Sequence, residues 1–140
     1  MQDKFLEELG LDARTAFLEF NFAPLDVRRD IGILGLLQKR VLGLSHPVFQ
    51  QLLPFFGDVF GYRIEGRHNR QLYGQFFEVS YQYDIFQRSI FSMRSVYNNL
   101  SQDVVDEPTV SFFQSRLTRI MKDECRKGNH RWRDIFSCRT

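Results

Sequence analysis

The chain predicts a mainly α fold, an irregular array of helices with a weak strand pair or an extended arm around residues 60–85. Two stretches and their punctuation carry that prediction. In residues 26–43, DVRRDIGILGLLQKRVLG, Ile31, Leu34, Leu37 and Val41 share one helical stripe, widened by Ile33, Leu36 and Leu42. In residues 109–127, Val110, Phe113, Leu117, Ile120 and Met121 form a second such stripe. Asp26 stands where an N-cap belongs, and Gly43 and Gly128 stand where left-handed C-terminal caps belong, each preceded by cationic residues that complement a helix end.

The remaining elements follow in order. Residues 3–9 form a short helix with Phe5, Leu6 and Leu9 on its buried side, stopped by Gly10. Asp12 caps a helix over 13–20 in which Ala13, Ala16, Phe17 and Phe20 share a face. Pro24 restricts the turn into the helix over 27–42. Inside that helix Gly32 and Gly35 each cost about 1 kcal/mol relative to alanine, which implies a close neighbour there. Ser45 caps a helix over 46–53 that tolerates Pro47 in its first turn. Glycines punctuate 55–87 and erase any helical period, while 62–65 and 79–83 carry β-friendly residues. His68 reads as an exposed loop residue. A helix over 89–98 places Ile90, Met93, Val96 and Tyr97 on one side, the polar run 101–108 is a loop, and the helix over 109–127 leads into a tail at 129–140. The whole is one helical domain or fragment.

A chain of 140 residues, 43% hydrophobic and 26% charged, suffices for one ordinary core, and fifteen phenylalanines make that core aromatic. No apolar run reaches the roughly 18 residues of a membrane span, and the acidic N-terminus lacks the pattern of a secretory signal. Two cysteines are too few for a disulfide framework, so the expected setting is intracellular, nuclear or cytoplasmic. Charge is uneven. Residues 1–20 carry two basic and five acidic side chains, for −3, whereas residues 116–140 carry eight basic and three acidic ones, for +5. Arg116, Arg119, Lys122 and Arg126 share the outer face of the last helix, and Arg131, Trp132 and Arg133 follow it. Such a face could grip phosphates and, through Trp132, stack a base, but from charge alone a solvated helix end with Trp132 at the core edge is the favoured reading.

Catalytic signatures are missing. There is no Gly-x-x-x-x-Gly-Lys-Ser/Thr loop, no His-Glu-x-x-His, no Cys-x-x-Cys and no Gly-x-Ser-x-Gly elbow, so neither an enzyme nor a cofactor is expected. Asp103, Asp106 and Glu107 sit in a polar turn before Pro108 rather than at a strand end. Cys125, His130 and Cys138 lack the tight pairing and fourth ligand of a structural zinc site, and no metal is expected.

Residues 22–44, with Pro24, Leu25, Arg28, Arg29 and Asp30, resemble the segment that follows the polymerase core in LINE-type, non-LTR retrotransposon reverse transcriptases. Residues 88–117, with Arg88, Ser89, Phe91, Tyr97, Asn98, Leu100, Phe113 and Leu117, resemble the C-terminal tail of the same proteins. Ser101 stands where that tail usually has proline, and Tyr97 where it often has tryptophan. The polymerase's Tyr/Phe-x-Asp-Asp motif does not occur here. The resemblance therefore implies a non-catalytic helical tail that contacts RNA or DNA, or that docks through the helix at 26–43 onto a polymerase body. A truncated remnant without a function of its own fits the same residues.

Overall fold

The structure is a computed structural model and describes residues 2–74, 90 and 92–137. Its elements are helices α1 (Gln2–Glu8), α2 (Ala13–Phe20), α3 (Leu25–Val41), α4 (Pro47–Leu52), α5 (Phe56–Phe60), α6 (Arg94–Asn98), α7 (Gln102–Val105) and α8 (Val110–Arg126), then a 3-10 turn (Trp132–Asp134). The fold is mainly α, and the described residues form no sheet beyond one isolated bridge between Phe55 and Leu72.

The two long helices are the axis of the molecule. Ile31, Leu34 and Leu37 of α3 share the core with Phe113, Leu117 and Met121 of α8, and α2, α6, α7 and the 3-10 turn close around them. Each long helix has 17 residues, about 25 Å at 1.5 Å per residue. Gly35 sits at their crossing. A β-carbon there would fall 2.9 Å from Cδ of Gln114, which fills that space and donates its amide to the carbonyl of Ile31 at 3.3 Å. The close neighbour expected at Gly35 is present, whereas nothing lies within 4 Å of the same position at Gly32.

Helix ends follow local chemistry. Asp12 accepts from the Thr15 backbone N–H at 2.7 Å, and Thr109 accepts from that of Phe112 at 3.1 Å. Gly43, at φ 76°, lets Leu44 N–H reach back to the Lys39 carbonyl, and Gly128, at φ 83°, does the same for Asn129 and Glu124. Two caps differ from expectation. Pro24 takes the N-cap place of α3, because its fixed φ already suits the entry, and Asp26 falls in the first turn, accepting from Val27 N–H and from Arg133. His46 rather than Ser45 caps α4, its Nδ1 accepting from Val48 N–H at 3.2 Å.

Larger departures lie between the long helices. Residues 62–65 form turns and coil instead of a strand, and 79–83 lie outside the described residues, as do 75–78 and most of 84–91. The run 101–108 is not all loop, since Val104 and Val105 of α7 are buried. On α1 only Leu6 is buried; Phe5 and Leu9 face outward, as does Phe20 at the end of α2.

His68 also corrects the reading of the sequence, for it is buried rather than exposed. Its Nδ1 accepts from Arg70 N–H at 3.1 Å, which leaves Nε2 as the donor to the Tyr97 carbonyl at 3.0 Å. The loop behind it is fastened to α6 by Asn98, which accepts from Leu72 N–H and donates to Leu72 O, both at 2.9 Å. Burial pushes the His68 pKa below its ordinary value, outweighing the Tyr97 carbonyl. A depressed histidine pKa means that the unfolded chain takes up the proton first. Stability should therefore be full above about pH 6.5 and fall as pH drops through that value toward the folded pKa. Urea midpoints measured at falling pH should show this loss, and His68→Gln should flatten it relative to the wild type.

Candidate nucleic-acid interface

The outward face of α8 is written by its helical period. Residues facing α3 recur as Phe113, Leu117, Met121 and Cys125, all buried. Ser111, Ser115, Arg119, Lys122 and Arg126, with Gln114 and Thr118 on the flank nearer α3, line with Asn21 a shallow groove of about 480 Å³. A second hollow of about 300 Å³ continues it toward α3, lined by Arg28, Ala23, Ile31 and Gly32 and sharing Asn21, Gln114 and Thr118 with the first. Four cations, Arg28, Arg119, Lys122 and Arg126, thus border one continuous groove, and no carboxylate lines it among the described residues.

Each cation is held differently. Lys122 donates one hydrogen bond to Asn21 Oδ1 at 2.7 Å, and its ammonium lies 5.5 Å from the centre of the Phe17 ring. An ammonium has three donors, so two remain for a ligand. Asn21 is in position because it ends α2 in the left-handed conformation, at φ 53°, which asparagine tolerates. Arg28 lies over the Phe22 ring at 5.2 Å and donates to Gln2 Oε1 at 3.1 Å. Arg126 pairs with Asp123 at 3.1 Å, but both side chains are more than half exposed, and such a pair holds by less than about 1 kcal/mol. Arg119 is exposed and has no ion-pair partner among the described residues.

The other residues singled out from the sequence lie apart from this groove. Arg116 is engaged by two carboxylates, Asp103 and, at 3.1 Å, Glu107, so it fastens α7 to α8. Arg133 bonds Asp26 at 3.3 Å and ties the 3-10 turn to α3. Arg131 is exposed but does not line the groove. Trp132 is buried, stacked on Phe17 with ring centres 5.2 Å apart and planes 8° from parallel, so that ring face is closed to a base. Arg119, Lys122 and Arg126 are therefore brought together, while Arg116, Arg131, Trp132 and Arg133 are not. Asn21, Gln114 and Thr118 carry no charge that marks them in the sequence, although the period of α8 alone places Gln114 and Thr118 one turn apart on the flank that leads to Lys122.

Cys125 lies on the core side of α8, and burial pushes its thiol above the ordinary value, which opposes thiolate chemistry. No cluster of three metal-ligating side chains occurs among the described residues, and none of their helices is long and apolar enough to cross a membrane. Comparison with protein-family models, curated proteins and solved structures finds no match. Fold and groove define a mainly helical chain bearing one basic, polar-lined surface.

Proposed function

We propose that the chain is a non-catalytic helical module, of the kind that forms the tail of a retroelement reverse transcriptase, and that it holds the phosphate backbone of RNA or DNA. The observation that carries the binding half of this reading is the groove bordered by Arg28, Arg119, Lys122 and Arg126, whose lining holds no carboxylate among the described residues; Asp123, paired with Arg126, stands outside it. Lysine and arginine that neutralise phosphates release condensed counterions, and affinity then falls steeply with salt. Ser111, Ser115 and Thr118 add neutral hydrogen-bonding groups of the type that contact phosphate and sugar oxygens. The parentage half rests on the resemblance of residues 22–44 and 88–117.

The docking alternative, as placed on the helix over 26–43, has little surface to use. Ile31, Leu34 and Leu37 are buried within the chain, and Leu36 is the large apolar side chain that α3 leaves exposed in its middle. Fluorescence anisotropy of a labelled oligonucleotide across a salt series tests the proposal. Four phosphate contacts give a log–log slope of about −3, or roughly a 50-fold loss of affinity between ~50 and ~200 mM salt. Binding that is indifferent to salt, or no binding at the low end, would refute it.

A further inference from the structure

We infer that the groove takes single-stranded nucleic acid, with unpaired bases stacked on Phe20 and Phe112; this rests on the phosphate-binding reading above. Both rings are largely exposed, Phe20 by 63% and Phe112 by 60%. Their positions relative to the groove are set by backbone geometry. Phe20 immediately precedes Asn21, whose side chain lines the groove and holds Lys122, and the left-handed turn at Asn21 ends α2 there. Phe112 stands one turn ahead of Ser115 and two ahead of Arg119 on α8, and Arg126 lies about 21 Å from Phe112 along the helix. Neither ring lines the groove itself; Phe20 adjoins it through Asn21 in the chain, and Phe112 precedes Ser115 and Arg119 on α8. Phe22, on the other side of Asn21, already carries the Arg28 guanidinium over its ring and marks the far edge.

Two physical arguments select a single strand over a duplex. Aromatic rings stack most cheaply on bases already free of a helix, since a duplex must first be unstacked, and such stacking is tolerant of sequence because every base has a π-face. The groove, at about 480 Å³, is of the size of a small-molecule cleft and is lined by hydroxyl, amide and cationic groups that suit one sugar–phosphate backbone. Trp132, the aromatic that the sequence places nearest the basic run, is closed by Phe17, which leaves these phenylalanines to supply the stacking.

The test uses the full chain and a labelled strand of about 12 nucleotides, alone and annealed to its complement, at low salt. Tighter binding of the single strand is expected. Phe20→Ser and Phe112→Ser should each weaken it about tenfold while leaving duplex affinity and the salt slope unchanged. Both rings are exposed, so these variants should unfold at the wild-type urea midpoint. Equal affinity for strand and duplex, or a strand preference that survives both substitutions, overturns the inference and leaves the phosphate-binding reading standing. Failure of the wild type to bind either form overturns both.

Discussion

Replacing Trp132 by alanine is expected to destabilise the fold by about 3–5 kcal/mol, the range for losing a large buried aromatic side chain. The ring is 8% exposed and lies flat on Phe17, itself completely buried, while the 3-10 turn that carries it packs on both α3 and α8. Its loss would open a cavity where α2, α3 and α8 meet, and a backbone held on every side cannot collapse fully to fill it. A urea titration should show the midpoint falling with little change in slope. Trp132→Phe should recover much of the loss, because an aromatic face remains for Phe17. A Trp132→Ala protein as stable as the wild type would mean that the 3-10 turn does not pack as described.

Replacing Gln38 by leucine should cost about 2–4 kcal/mol, although leucine is apolar and the site is buried. Gln38 is wholly buried in the last turn of α3. Its amide donates to the carbonyls of Val105 at 3.0 Å and Glu107 at 3.2 Å, and its Oε1 accepts from the Tyr97 hydroxyl at 2.6 Å. Every polar atom of the side chain is used, and α3, α6 and the α7 region are joined through it. Leucine would leave the Tyr97 hydroxyl without its acceptor, in surroundings whose burial already holds that hydroxyl far from ionising. The Val105 carbonyl would keep Arg70, which donates to it at 3.1 Å, so the penalty falls mainly on Tyr97 and Glu107. Tyr97→Phe removes the orphan. The double variant should therefore be less destabilised than the sum of the two single ones, a coupling that a double-mutant cycle measures directly.

These two sites also show why only part of the molecule is legible in the residues. The stripes of α3 and α8 are long enough for period alone to reveal them, and Asp12, Thr109, Gly43 and Gly128 mark ends by purely local chemistry. Helices α5 and α7 are four or five residues long, below the length at which a period can be seen, and α7 is fixed by Arg116 and Gln38 from distant elements. Tyr62 and Ile64 look like strand residues, yet a strand needs a partner, and in this region the described chain offers only the bridge at Phe55 and Leu72. His68 lies in a polar run whose burial depends on Tyr97 and Arg70 being brought to it.

The groove divides in the same way. Arg119, Lys122 and Arg126 follow from the α8 period, because whatever does not face α3 must face outward. Arg116 has the same spacing and is removed from the set by Asp103 and Glu107, whose approach depends on α7. Trp132 is removed by Phe17, more than a hundred residues earlier in the chain. Asn21 and Arg28 enter from another part of the chain altogether, and no local pattern announces that the turn after α2 ends against α8.

The most direct test of the groove is a pair of charge reversals compared on one oligonucleotide at low salt. Arg119 borders the groove without an ion-pair partner among the described residues, and Arg131 is also exposed but does not line it. Arg119→Glu should weaken binding at least tenfold and reduce the magnitude of the salt slope by about one or more, whereas Arg131→Glu should change either only slightly. Equal losses from the two reversals would mean that the whole basic end binds diffusely. A loss from Arg131→Glu alone would place the nucleic acid on the 3-10 turn and contradict the assignment to α8.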